Sequence, residues 1–104
     1  MHRVFRSGKY EQKLNKLDKS EFDRVIKFEQ SLKVEPYNGK PLGYEFFREK
    51  KFDGKRLIFL VYEQHKCVFL VTITDKKLQQ IEINFIKANL DIYKEEIERR
   101  IKGL

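Results

Sequence analysis

The sequence predicts a small α+β domain with helices grouped beside an antiparallel sheet. Three observations carry this. Between residues 42 and 74 lie two continuous apolar runs, KRLIFLVY and KCVFLVTIT, joined only by EQH. Continuous runs rich in β-branched and aromatic residues mark strands covered on both faces. On either side the apolar spacing lengthens to three and four residues, the period of an amphipathic helix. The 104 residues suffice for a single domain, 1–104, which buries about two-thirds of its unfolded surface.

HRVF reads as an N-terminal strand. In SGKYEQKLNKL, the spacing of Tyr10, Leu14 and Leu17 predicts a short helix. A second helix follows in LDKSEFDRVIKFEQSLKV, capped by Asp18 or Ser20. Its stripe is Phe22, Val25, Ile26, Glu29 and Leu32, with Glu29 a polar interruption. Phe28 lies off that stripe and is expected to pack on the first helix. Pro36, Asn38-Gly39 and Lys40-Pro41 end the helical pair. LGYEFFRE then opens a three-stranded meander, with KKFDG as the first connection and EQH as the second. After Asp75, a possible N-cap, the apolar positions are Leu78, Ile81, Phe85, Ile86, Leu90, Tyr93, Ile97 and Ile101. They predict a long C-terminal helix, or two nearly collinear ones broken at Asn89-Leu90-Asp91.

The net charge is +7, and it is concentrated. Residues 40–56 carry six cations against three anions, and residues 1–27 carry eight against four. This favours a polyanionic partner: nucleic acid, an acidic protein or a membrane surface. High Lys and Glu with few Gly and Pro suits a heat-adapted source. The lone Cys67 makes no internal disulfide and reads as a buried, inert thiol. The N-terminus lacks the apolar region of a signal peptide, and no apolar run approaches the roughly 20 residues that span a bilayer. A cytoplasmic protein without a membrane partner is expected. His2, His65 and Cys67 have no zinc-site spacing, and there is no Gly-rich phosphate loop. No metal or other cofactor is expected.

The helical pair followed by NGKPLGYEFFREKKFDGKRLIFLVY, a hydrophobic strand and a basic loop resembles the RelE/ParE superfamily of toxins from toxin–antitoxin pairs. The resemblance is carried by Gly39-Lys40-Pro41-Leu42 entering the sheet, Arg48 closing the first meander strand and Arg56 opening the next. It spans nearly the whole chain. It implies a metal-independent endoribonuclease that cleaves mRNA on the ribosome by 2′-hydroxyl attack. It also implies neutralisation by an acidic antitoxin, through which any oligomer is built. The alternatives are a catalytically weakened RNA- or antitoxin-binding member and a ParE-like gyrase inhibitor.

In-line attack at a phosphodiester builds negative charge on the phosphoryl oxygens, which a guanidinium meets with paired hydrogen bonds. The resemblance therefore assigns catalysis to Arg56, Arg48, Lys77 and Lys51, and RNA binding to Lys50, Lys76, Lys55 and Lys40. Arg56, Arg48 and Lys77 are expected to form one phosphate-binding bowl. Lys77 stands where relatives often carry Arg, and Ile83 where they carry a base-stacking Tyr.

Overall fold

Polar caps start both N-terminal helices. In the computed structural model, which describes residues 1–104, strand β1 is Arg3–Arg6 and helix α1 is Gly8–Leu14. The Ser7 hydroxyl caps α1 by accepting the Tyr10 N–H and donates to the Val71 carbonyl at 2.6 Å, tying the helix to the sheet. Helix α2 is Lys19–Leu32. Asp18 and Glu21 form a reciprocal capping box there, satisfying two N–H groups that the first turn leaves free.

Strands β2 (Lys40–Tyr44), β3 (Phe47–Phe52), β4 (Lys55–Tyr62) and β5 (Cys67–Asp75) follow. Helices α3 (Gln79–Ala88) and α4 (Leu90–Lys102) close the chain. The sheet order is β1-β5-β4-β3-β2. Neighbours from β5 to β2 are antiparallel, whereas β1 pairs parallel with β5. The sheet is thus mixed and five-stranded.

Two expectations need correction. The stretch read as one strand, LGYEFFRE, folds back at Glu45-Phe46, so the meander has four strands and Lys50 and Lys51 lie inside β3. This turn contains neither Gly nor Pro, the residues that usually announce one. Of the two C-terminal alternatives, the second is present, with the break at Asn89, whose side-chain amide donates to the Phe85 carbonyl. In α3 the inward residues are Ile86, as the spacing predicts, and Ile83, which it does not mark, while Ile81, Phe85 and the preceding Leu78 are exposed. The turn after Asp75, whose carboxylate accepts the Leu78 N–H, delays the helix to Gln79 and sets its phase.

The sheet separates two cores. Beneath α1 and α2, Tyr10, Leu14, Val25, Phe28 and Leu32 meet Leu57, Phe59 and Leu70. Beneath α3 and α4, Ile83, Ile86 and Ile97 meet Phe47, Ile58, Leu60 and Phe69. Phe28 packs edge-on against Phe59 of the sheet, with centroids 5.8 Å apart, while Phe22 is exposed. Each large apolar side chain buried here contributes about 1.5–3 kcal/mol. Cys67 is buried, which pushes its thiol up to about 11. Slow alkylation of the folded protein at pH 8, rapid after denaturation, is the expected outcome of a thiol-labelling time course.

Glu29 is buried as an ion-pair hub. It accepts two hydrogen bonds from Arg6 Nε and one from Nη2 at 2.8 Å. The Tyr10 hydroxyl donates to it at 2.5 Å. Burial and the adjacent carboxylate push the Tyr10 phenol far above its usual range. The polar interruption of the α2 stripe therefore joins α2, α1 and β1.

Gly39, at φ +97°, brings the chain into β2 against β3; a Cβ there would lie 2.5 Å from the Glu49 carbonyl oxygen. Gly39→Ala is expected to destabilise the fold by about 1–3 kcal/mol, measured by denaturant unfolding.

Candidate functional site

Strand alternation decides which cations share a face. In β3, Arg48, Lys50 and Phe52 face α1 and α2, whereas Phe47, Glu49 and Lys51 face α3 and α4. In β4, Lys55 and Leu57 take the first face and Arg56 and Ile58 the second. The register pairs Lys51 with Arg56, Arg48 with Phe59 and Lys50 with Leu57. Arg56 also pairs with Thr74 of β5, and Lys40 of β2 with Glu49.

Arg48 and Arg56, expected side by side in one bowl, therefore lie on opposite faces. Arg48 is buried, and although its Nε likewise has no acceptor, its other guanidinium nitrogens are committed to structure. Its guanidinium donates to the Gly39 carbonyl at 2.9 Å and the Glu45 carbonyl at 3.0 Å, beneath the Tyr37 ring. Lys55 donates to Glu21 of α2 at 2.6 Å. Lys50 lies 5.6 Å from the centroid of the Phe28 ring. Lys76 and Lys77 are exposed in the turn between β5 and α3.

Arg56 has different surroundings. It is 8% exposed, and its Nη1 donates to the Lys55 carbonyl at 3.3 Å. Its Nε is 3.9 Å from Glu49 Oε1, too far for a hydrogen bond, and has no acceptor. The hydroxyl of Thr74, its register partner, is also buried and unpaired. Buried polar groups are rarely left without partners. Arg56 Nε and the Thr74 hydroxyl are two unmet groups on adjacent strands, both able to donate a hydrogen bond. Glu49 is 2% exposed, and Gln79, the first residue of α3, donates to it at 2.6 Å. Lys51 and Lys40 are exposed on this face and raise its positive potential.

The sequence singled out none of Glu49, Thr74 and Gln79 as site residues. The alternation Glu49-Lys51 opposite Arg56 is the signal that finds Glu49 once β3 is given its true start. Gln79 has no local signal, because only the tertiary position of α3 brings it over the sheet.

This arrangement of strands and helices is shared with solved toxins. No family model matches the chain, and no curated protein does. The RelBE2 toxin–antitoxin complex of Mycobacterium tuberculosis superposes with a TM-score of 0.62 at 23% identity, over 72% of this chain and 98% of that one. The archaeal RelE–RelB complex of Pyrococcus horikoshii gives 0.63 at 19%, over 72% and 94%. Free Escherichia coli RelE, as a doubly substituted form, gives 0.67 at 16%, over 80% and 90%. The chain has the RelE toxin fold. No helix is long and apolar enough to cross a membrane.

Proposed function

We propose that this protein is the toxin of a toxin–antitoxin pair and an endoribonuclease that cleaves mRNA on the ribosome without a metal. The observation that carries the proposal is the buried Arg56, with its Nε unpaired beside the unpaired Thr74 hydroxyl on a cationic sheet face. The RelE toxin fold, shared with toxins solved in complex with RelB antitoxins, supports the same reading.

In the proposed reaction the ribose 2′-oxygen attacks the adjacent phosphorus as the bond to the 5′-oxygen breaks. The products are a 2′,3′-cyclic phosphate and a 5′-hydroxyl. Arg56 and Thr74 donate to the phosphoryl oxygens as their charge grows, an electrostatic contribution that is often the largest in catalysis. Glu49, held by Gln79, takes the 2′-proton. Lys51, across from Arg56, returns a proton to the leaving oxygen. Lys40, Lys76 and Lys77 attract the flanking phosphates. Arg48 positions the Gly39 loop from the opposite face.

An antitoxin partner fits the exposed stripe Leu78, Ile81 and Phe85, an apolar surface bordered by Lys77 and Lys87. An acidic, amphipathic helix complements both features. Induced expression with sequencing of mRNA 5′ ends tests the cleavage proposal, and new ends within translated codons are expected. Ile83 is 7% exposed, in the core beneath α3, so no base-stacking ring is presented there. That observation favours the second reading, a member that binds RNA without cutting it. Growth arrest without new 5′ ends would select it.

A further inference from the structure

We infer that the pocket behind the β3–β4 hairpin, on the sheet face opposite Arg56, receives a nucleobase adjoining the phosphate held at Arg56. This rests on the ribonuclease reading above and extends the same site around the hairpin. The pocket encloses about 250 Å³ between α2 and the sheet, with Phe28, Phe52 and Leu57 among its walls and Arg24, Lys50 and Lys51 at its margin. It is smaller than the usual cavity for a drug-sized ligand and matches a single planar ring system.

Charge and continuity identify the occupant. The nearby carboxylate, Asp53 at the hairpin tip, is already paired with Arg24. Lys50 and Lys51 remain for an anion. Lys51 borders the pocket and is also the register partner of Arg56, so the two faces communicate around the Asp53-Gly54 turn. A strand of RNA with one phosphate at Arg56 passes this tip and turns its next base inward. The Lys50 ammonium now lies over the Phe28 ring, 5.6 Å from its centroid. A base entering between Phe28 and Phe52 displaces that ammonium onto its own phosphate. Aromatic surfaces beside a cationic track are how proteins hold unpaired nucleotides. Such a surface here supplies the base platform that Ile83 does not.

The test uses the full chain, a 2′-O-methylated tetra-adenylate and an abasic oligomer with the same number of phosphates. Methylation blocks attack, so binding is read alone. The expected result is that the base-bearing oligomer binds about tenfold more tightly, the scale of one base stacked on an aromatic side chain. Phe52→Ala and, as a change at an exposed side chain, Lys50→Ala should shrink that ratio. The Phe28, Phe52 and Leu57 resonances should shift with the tetra-adenylate only. Equal affinity for both oligomers overturns the pocket and leaves the phosphate site standing. Failure of both to bind overturns the RNA reading and the pocket together. Shifts of these resonances with an acidic antitoxin peptide but not with tetra-adenylate also overturn the inference, giving the pocket to the antitoxin.

Discussion

Arg56→Ala is expected to abolish growth arrest while leaving the fold and antitoxin binding intact. Arg56 lies at the β4 entrance and its guanidinium makes one hydrogen bond, to the Lys55 carbonyl at 3.3 Å. Removing it relieves rather than creates an unmet donor at Nε. The stability cost is about 1–3 kcal/mol, because the buried Glu49 loses its cationic neighbour and keeps the Gln79 hydrogen bond. In the proposed transition state the same side chain meets charge that is absent from the ground state. Its loss should lower turnover by about 10²-fold or more, the scale set by removal of one preorganised donor, with a smaller change in RNA affinity. Lys55→Ala is the matched control. Its ammonium points to the other face and binds Glu21, so toxicity should persist. Growth curves at equal protein levels, with thermal unfolding of both variants, check the pair.

The largest expected stability effect lies far from this site. Glu29→Ala should destabilise the protein by about 2–4 kcal/mol in denaturant unfolding. The substitution strips the Tyr10 hydroxyl and the Arg6 guanidinium of their shared acceptor. Tyr10 is fully buried and finds no water in its place. Arg6 is about one-third exposed and recovers hydration, which keeps the effect below that of a wholly buried pair. Adding Tyr10→Phe should recover part of the loss, since it removes the orphaned hydroxyl. A double-mutant cycle reads this coupling directly.

Local chemistry made much of the fold legible. The Asp18 cap, the β4 and β5 runs and the break at Asn89 follow from short-range preferences that tertiary packing reinforces. The Glu45-Phe46 fold-back did not, since neither residue signals a turn. Missing it left Lys50 and Lys51 in a loop and hid the face assignment. A one-residue change of phase moves a side chain across the sheet, so the joint role for Arg48 and Arg56 depended on a boundary the sequence did not mark. In α3, apolar residues occur on both sides of the helix. Periodicity followed Leu78, Ile81, Phe85 and Ile86, of which the core took only Ile86, together with the unmarked Ile83. Of the candidate site, Arg56 and Lys51 were reached through the family resemblance. Thr74 and Gln79 acquire meaning only from register and from the docking of α3.

The chemistry of the RNA ends decides whether the ribose 2′-oxygen is the attacking group. Ribosomes translating a defined mRNA would be exposed to the purified protein, and the fragment termini identified by enzymatic ligation and mass spectrometry. A 5′-hydroxyl on the downstream fragment and a 2′,3′-cyclic phosphate on the upstream one are expected. No cleavage is expected when the scissile nucleotide is 2′-O-methylated, or with Arg56→Ala. Fragments with 5′-phosphate and 3′-hydroxyl ends, or cleavage that survives 2′-O-methylation, would contradict attack by the 2′-oxygen.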